Sequence, residues 1–303
     1  MDWKSHRIDA LLEMALVEDQ AAHDSTSNLT LDPDLRATAS ITARQEMVVS
    51  GLGSVPRFFE IFARLDHRPE VHTRFEVVSH PEIFDGVRVR PGQVLAVIRH
   101  NARVLLSSER VILNLIQHLS GIATLTRQYC DAIDGTHAKI LDTRKTVPGM
   151  RTLEKYAVQC GGGTNHRIDL ASGILIKGNH IKLGGGLPAV LTAALAKRRK
   201  GQRVEVEVRT AQELEQAIHY GAEAIALMNM TPEQVRTSVD LIKQEIARIQ
   251  VENPERWIPT EASGGIVLEN IRAYAETGVD FISVGALTHS ARAADITMSI
   301  SAE

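Results

Sequence analysis

One stretch of sequence decides the fold: residues 139–182 read KILDTRKTVPGMRTLEKYAVQCGGGTNHRIDLASGILIKGNHIK. It contains two short apolar runs, at 140–141 and 174–176, and each run ends abruptly in polar or charged residues. Buried strands of a parallel sheet have this pattern, with an apolar body and a functional tip at the carboxyl end. Residues 142–182 include seven lysines and arginines but only three acids, although the whole chain has a net charge of −3. This local excess predicts a pocket for an anionic small molecule.

The composition limits the classes of protein to which the chain can belong. Its 303 residues leave room for one large α/β domain and a smaller partner. The 44% hydrophobic content with 4% aromatic residues is typical of an aliphatic α/β core. The net charge disfavours a nucleic-acid partner, and no apolar run is long enough to predict a membrane span. Cys130 and Cys160 make neither a disulfide framework nor a CxxC metal motif, so we expect a cytoplasmic protein.

The first third of the chain predicts a small α+β unit without a catalytic motif of its own. Apolar residues at helical spacing predict an amphipathic helix over residues 5–18. Other short patterns predict strands near 37–49, 71–78 and 86–98, and a helix over 56–65. We assign this unit to residues 1–108. The alternating segment 295–300 predicts a strand through which the end of the chain, 290–303, returns to it.

The pattern then changes to strands that alternate with helices. Ser107 or Ser108 is a natural N-cap for a helix over 109–119, and Gly121 is expected to interrupt it before a second helix continues to about residue 133. From there the sequence predicts strands at 138–142, 173–177, 203–208, 223–228, 257–261 and 280–284, with helices near 151–160, 188–198, 211–220, 232–248 and 268–276. Such alternation favours a parallel α/β barrel, which we assign to residues 109–289. No GxGxxG motif follows the first strand, which weighs against a dinucleotide-binding sheet.

Polar side chains gather at the predicted carboxyl ends of the strands. Thr143, Arg144 and Lys145 follow the first strand, and Lys177 follows the second. Strict alternation over 203–208 places two glutamates, at 205 and 207, on one face and three valines on the other. If the valines meet the surrounding helices, the carboxylates point into the barrel, where they need cationic or hydroxyl partners.

Glycine-rich turns follow the last two strands, at 263–265 and 285. Turns in these positions of a barrel commonly bind phosphate, because bare backbone N–H groups can close on the oxygens. Each turn alone could be an ordinary turn, but two together favour phosphate. Two chemical roles are open for Lys177: it could form a Schiff base, or it could act as a charge clamp on a carboxylate or phosphate. The cations at the tips could also form a solvated rim, although their convergence on two adjacent strands favours a site.

Six ordered motifs resemble the quinolinate phosphoribosyltransferase family: SERVILNLIQHLSGIATLT (108–126), LDTRKTVPGMRTLEKYAVQCGGGTNHRIDL (141–170), LIKGNHI (175–181), VEVEV (204–208), EASGG (261–265) and TGVDFISVGALTHSA (277–291). The resemblance implies an α/β fold with an open (incomplete) α/β barrel and an N-terminal α/β sandwich domain, of the type II phosphoribosyltransferase kind. It also implies phosphoribosyl transfer from phosphoribosyl pyrophosphate to quinolinate with decarboxylation, which yields nicotinate mononucleotide. The implied assembly is a head-to-tail homodimer, or a higher oligomer built from it.

The resemblance further implies a role for each matching residue. Lys145, Lys177 and Glu207 would be catalytic, and Glu207 would hold the ribose hydroxyls directly or through Mg2+. The carboxylates of quinolinate would be bound by Thr143, Arg144, Lys145, His166, Arg167 and Lys177, with Arg110 supplied by the neighbouring subunit. The 5-phosphate would be bound by Ser263, Gly264, Gly265, Val284, Gly285 and Ala286. This chemistry needs positioning and electrostatics rather than a protein nucleophile.

Two positions depart from the family pattern. The pattern LDNM is LMNM here, so Met228 stands where an aspartate is expected, and IKDNH is IKGNH, so Gly178 replaces a second aspartate. A thioether is a poor ligand for Mg2+ and a weak hydrogen-bond acceptor. The departures therefore raise two alternatives: a diverged paralogue with a different acceptor acid, and a non-catalytic protein that binds a dicarboxylate.

Overall fold

A computed structural model describes residues 1–66, 74–250 and 257–303. The chain divides into two compact units. The first comprises residues 1–127, 146–162 and 290–303, and the second comprises residues 128–145 and 163–289. Among the described residues, every helix falls short of the length and apolar character that a membrane span requires.

An antiparallel sheet forms the centre of the first unit. Its strand order is β12-β1-β5-β3, with β1 at Arg36–Ala43, β3 at Glu76–Val78, β5 at Val94–Asn101 and β12 at Ile296–Ala302. Buried and partly exposed residues alternate along β1, which is the period expected of a sheet with one face on the core. Two short strands, β2 (Met47–Val48) and β4 (Arg88–Val89), pair separately. Of the strand predicted over 71–78, residues 71–73 lie outside the described residues.

The helices of this unit supply the rest of its core. They are α1 (His6–Glu18), α2 (Ser25–Thr30), α3 (Ser54–Leu65), α5 (Arg151–Cys160) and most of α4 (Ala102–Ala132). A 3-10 turn covers Ala21–His23. The aromatic side chains of Phe58 and Phe59 on α3 are fully buried. An ion pair between Arg57 and Asp9 joins α3 to α1.

Helix α4 corrects two sequence predictions, since it runs without a break from Ala102 to Ala132. Ser108 is not an N-cap: it lies inside the helix, where its hydroxyl donates to the carbonyl of Val104 at 2.6 Å. Gly121 does not interrupt the helix either. A Cβ at Gly121 would lie 2.0 Å from the carbonyl oxygen of Arg292. The glycine therefore allows the backbone at Arg292 to approach the helix closely. The domain boundary predicted after residue 108 falls within this continuous helix.

The second unit is an open parallel α/β barrel, which confirms the predicted fold class. Six parallel strands follow the order β6-β11-β10-β9-β8-β7. They are β6 (Lys139–Leu141), β7 (Ile174–Ile176), β8 (Val204–Val208), β9 (Ala224–Met228), β10 (Thr260–Ser263) and β11 (Phe281–Ser283). No ladder joins β6 to β7 in the described parts of the chain, so the barrel is open between its first two strands.

Helices follow the strands of this unit: α6 (Gly178–Leu183), α7 (Leu187–Lys197), α8 (Ala211–His219), α9 (Pro232–Gln250), α10 (Ile271–Ala275) and α11 (Ala286–His289). The strand predicted over 257–261 was wrong in its bounds, because β10 begins at Thr260 and continues to Ser263. The N–H and hydroxyl of Thr260 both donate to Asp280, each at 2.8 Å, and they secure the start of the strand. Glu261 therefore lies inside β10.

Candidate active site

The candidate site lies at the carboxyl edge of the parallel sheet. Because the strands run in one direction, the residues that follow each strand meet at one edge. The segments at this edge are 142–145 after β6, 177–178 after β7, 209 after β8, 229 after β9, 264–265 after β10 and 284–286 after β11. The strand tips that the sequence singled out therefore share one edge.

A short ion pair joins β7 to β8 at this edge. The Nζ of Lys177 donates to Oε1 of Glu207 at 2.6 Å. The Glu207 side chain is only 7% exposed, whereas that of Lys177 is 46% exposed. The ammonium of Lys177, which lies toward solvent, thus pairs with the buried carboxylate of Glu207. This pairing holds the ammonium in one position.

Three more residues form a largely buried cluster, which we call the His166 cluster: His166, Glu205 on β8 and Glu261 on β10. The Nε2 of His166 lies 3.2 Å from a carboxylate oxygen of Glu205 and 3.3 Å from one of Glu261. The main-chain N–H of Arg167 points at Nδ1 from 2.6 Å, so Nδ1 is the acceptor and Nε2 carries a proton. Although these groups are close enough to hold a metal ion, a protonated Nε2 shares its hydrogen with the carboxylates instead.

The His166 cluster retains an additional proton well above neutral pH. Burial by itself would lower the pKa of His166, but hydrogen bonds to the two glutamates outweigh burial and raise that pKa to about 10. Burial raises the pKa of Glu261. Because the three groups titrate together, the shifts belong to the cluster as a whole.

Buried donors and acceptors position the segment that carries His166. Its main-chain N–H donates to the fully buried carboxylate of Asp142 at 2.8 Å, and Thr164 bridges to the end of β6. The guanidinium of Arg167 donates to the carbonyl of Gly173 at 2.8 Å. These contacts hold the loop 164–167 across the opening between β6 and β7.

Two guanidinium groups lie close together beside this loop. Burial lowers the pKa of Arg167, and the charge of Arg144 lowers it further. The Nε of Arg144 is itself buried, and it has no hydrogen-bond partner among the described residues. A buried donor without an acceptor costs about 1 to 3 kcal/mol. An anion that accepted from Arg144 would remove this cost and the repulsion between the two cations.

Lys145 lies against the glycine-rich turn after β11. A Cβ at Gly285 would be 3.0 Å from the Cδ of Lys145, so only glycine leaves the lysine side chain in its present place. The Lys145 carbonyl accepts from the hydroxyl of Thr288 at 2.7 Å, and its N–H donates to the hydroxyl of Thr143 at 3.0 Å. The turn and the lysine are therefore packed as one piece.

The two predicted phosphate turns adjoin each other. The hydroxyl of Ser283 on β11 donates to that of Ser263 on β10 at 2.7 Å. Gly264 and Gly265 have φ angles of +98° and +65°, which L side chains rarely adopt. Val284 is buried, and its N–H donates to the carbonyl of Leu141 at 3.0 Å, so that N–H belongs to the sheet.

The positions that depart from the family pattern lie at the same edge. Met228 is the half-buried last residue of β9 and is paired with Ser263. Gly178 follows Lys177, and a Cβ built on it would touch the guanidinium of Arg209 at 3.7 Å. The remaining predicted residue, Arg110, is on α4 in the first unit, where its side chain is 66% exposed and lies 3.8 Å from Glu109.

Sequence reasoning did not assign a role to three residues that the structure brings forward. Glu261 stands in the EASGG motif but was passed over, because the strand was expected to end there. Asp142 was noted only as part of a strand tip. Arg209 follows the VEVEV run directly, and the sequence alone made no prediction for it. A parallel strand that ends in a charged residue was the available signal for each.

Comparison with known proteins identifies the family. The family model of the quinolinate phosphoribosyl transferase C-terminal domain matches residues 122–299, and that of the N-terminal domain matches residues 24–120. These matches identify the class of protein as a phosphoribosyl transferase. The chain belongs to the quinolinate phosphoribosyl transferase family.

Individual relatives match over nearly the whole chain. A protein of Bacillus subtilis (strain 168), named probable nicotinate-nucleotide pyrophosphorylase (carboxylating), is 39% identical over 97% of this chain and 93% of its own length. The Mycobacterium leprae nicotinate-nucleotide pyrophosphorylase (carboxylating) is 38% identical over 91% of each chain. The crystal structure of NadC from Streptococcus pyogenes is 34% identical, with a TM-score of 0.88, and the match covers 100% of this chain and 99% of that one.

Proposed function

We infer that this protein transfers the phosphoribosyl group of phosphoribosyl pyrophosphate to quinolinate with decarboxylation, and so forms nicotinate mononucleotide, pyrophosphate and CO2 for NAD biosynthesis. Family membership supports this function over the full length of the chain. The observation that carries it is the pair Arg144 and Arg167. Two neighbouring guanidiniums, one with a buried Nε that has no partner in the described part of the chain, are a costly arrangement until a dicarboxylate binds between them.

The geometry supports a mechanism of positioning and charge. The ring nitrogen of quinolinate attacks C1 of the ribose while the C1–O bond to pyrophosphate breaks, and the leaving group takes the electron pair. The sugar becomes positively charged in the transition state, where the Glu207 carboxylate would stabilise it. The carbon–carbon bond to the carboxylate next to the ring nitrogen then breaks, CO2 leaves, and the ring carbon takes up a proton.

Lys177 serves this mechanism as a charge clamp. Its ammonium is held 2.6 Å from Glu207 at the open side of the site, where it can also meet an anionic group of the substrate; an imine-forming lysine would have to give up this pairing. The comparisons give no support to a lyase, to a paralogue with a different acceptor acid or to a non-catalytic dicarboxylate-binding protein.

Mg2+ is the cofactor that we propose. It prefers oxygen ligands and is commonly held by one or two carboxylates together with substrate phosphates. Glu207 is the residue of this site that fits such a role, since Met228 offers a thioether and the His166 cluster is occupied with its shared proton. An ion that arrives with phosphoribosyl pyrophosphate, and is held chiefly by its phosphates, matches this donor set. When bound, it would offset the charge of the departing pyrophosphate.

We also propose a homodimer in which Arg110 enters the site of the neighbouring subunit. The exposed guanidinium of Arg110 is consistent with such a role. Co-expression of Arg110→Ala and Lys177→Ala chains tests it, because a mixed dimer would contain one intact site and regain activity. If the mixture is as inactive as each variant alone, Arg110 does not act across subunits. We also propose a cytoplasmic location, because Cys130 and Cys160 remain as thiols, which fits a reducing compartment.

A turnover assay tests the function. Purified protein with quinolinate, phosphoribosyl pyrophosphate and Mg2+ should form nicotinate mononucleotide, and Arg144→Ala should raise the KM for quinolinate. Lys139→Ala is the matched control, because Lys139 is an exposed cation at the opposite end of the same strand, β6. The proposal is wrong if quinolinate binds in calorimetry but no nucleotide is formed.

A further inference from the structure

Arg209 places a guanidinium at the edge of the site, where it has no ion-pair partner among the described residues. It directly follows Val208, the last residue of β8. A Cβ built on Gly178 would lie 3.7 Å from its Cζ and 3.7 Å from each terminal nitrogen. A point at equal distance from these three atoms lies above the plane of the group, so the face of the guanidinium covers Gly178. The N–H groups, which lie in that plane, point elsewhere.

The charge of Arg209 is not neutralised within the described part of the chain. The side chain is exposed, and no carboxylate of the described residues lies within ion-pair distance of it. Its main-chain N–H donates to the Glu213 carboxylate at 2.7 Å, which fixes the backbone and not the guanidinium. The nearby ammonium of Lys177, by contrast, is paired with Glu207.

The guanidinium of Arg209 is available for a ligand because the residue beside it, Gly178, has no side chain. The contact of 3.7 Å is ordinary van der Waals distance, and Gly178 has no positive φ, so a larger residue would fit. An aspartate here would bring its carboxylate against the guanidinium and form an ion pair with it. Gly178 therefore gives the site one more available cation than an aspartate would.

We propose that Arg209 binds the pyrophosphate of phosphoribosyl pyrophosphate, an inference that rests on the proposed function. A guanidinium can present two parallel N–H groups to phosphate oxygens. The cations for the carboxylates of quinolinate are already grouped around Arg144 and Arg167. Arg209 instead directly follows β8, the strand of Glu207, which is assigned to the ribose. The 5-phosphate is assigned to the glycine-rich turns, so the pyrophosphate on C1 of the same sugar is the anion left for Arg209.

Substitution of Arg209 tests the proposal. Arg209→Ala should raise the KM for phosphoribosyl pyrophosphate about tenfold and leave the KM for quinolinate and kcat within twofold, as expected when a charged hydrogen bond to a single substrate is lost. Arg203→Ala is the matched control, since Arg203 is exposed and immediately precedes the other end of β8. In calorimetry, inorganic pyrophosphate should bind Arg209→Ala about tenfold more weakly than it binds the Arg203→Ala control.

Gly178→Asp provides an independent test with a definite sign. It should weaken binding of phosphoribosyl pyrophosphate severalfold in the otherwise unchanged chain and have no further effect together with Arg209→Ala, because both changes remove the same cation. A lower KM in Gly178→Asp, or an unchanged KM in Arg209→Ala with turnover intact, overturns the proposal. If no chain turns over, the proposed function fails, while pyrophosphate calorimetry still decides the role of Arg209.

Discussion

Gly264→Ala is expected to damage the phosphate turn after β10, and the structure provides the magnitude. Gly264 has a φ of +98°, and a Cβ there would lie 1.9 Å from Oδ1 of Asn229. Positive φ costs an alanine about 1 to 2 kcal/mol. The overlap is much shorter than any van der Waals contact, so the asparagine must also move. We expect the two costs to reach about 2 to 4 kcal/mol.

The backbone of Asn229 has little freedom to move away, and the added Cβ would also lie 2.9 Å from its Cγ and 3.3 Å from its main-chain nitrogen. Its own φ is +54°, and its N–H donates to the carbonyl of Ser263 at 2.8 Å. Displacement of this residue would shift the end of β10, where Ser263 and the glycine-rich turn are expected to hold the 5-phosphate. The substitution should therefore raise the KM for phosphoribosyl pyrophosphate at least tenfold, which corresponds to about 1.4 kcal/mol, and change the KM for quinolinate much less.

Gly265→Ala is the matched control for this prediction. Gly265 also has a positive φ, +65°, but a Cβ there would meet no atom within 4 Å. It should incur only the conformational cost, about 1 kcal/mol. Steady-state kinetics at saturating quinolinate and thermal unfolding would compare the two. Asn229→Gly should partly rescue Gly264→Ala, since it removes the clashing side chain. Equal effects of the two alanines, or no rescue, would refute the steric reasoning.

Three further predictions follow from contacts at the same edge. Lys177→Met should lower kcat/KM about 100-fold and also reduce the free energy of unfolding, because it leaves the buried carboxylate of Glu207 without its cation; borohydride trapping with the wild type would instead indicate an imine. Met228→Asp should tighten binding of phosphoribosyl pyrophosphate, and an unchanged affinity would show that Met228 does not occupy the place of the family aspartate. The raised pKa of His166 contributes stability below its usual value of 6.5 that is lost as pH rises toward about 10; denaturant titrations should show this decline, and His166→Gln should flatten it.

Much of the second unit could be read from the sequence, because its pattern is local. A short apolar run that ends in polar residues marks a buried parallel strand, and the strands at 139–141, 174–176 and 224–228 fall inside their predicted bounds. Parallel strands also imply that their ends share an edge. For this reason the sequence could predict that the charged strand ends share one edge of the sheet.

Predictions failed where a local signal was overruled by a distant contact. Gly121 has the low helix propensity that suggested a break. The helix continues through it because the backbone at Arg292 packs against it, more than 150 residues further along the chain. The serine at 108 likewise resembled a cap, yet a helix that starts at Ala102 gives its hydroxyl a carbonyl partner in the preceding turn.

The sequence by itself determined the strand order along the chain, the sign of the charge at the strand ends and the family. Only the tertiary structure decided which of these charges meet. His166, Glu205 and Glu261 are far apart in the chain and come together because the loop 164–167 folds across an open barrel toward β8 and β10. The same holds for Gly178 and Arg209, whose contact depends on the pairing of β7 with β8. Periodicity records which face a residue occupies, but proximity across strands depends on register and twist, which no local pattern contains.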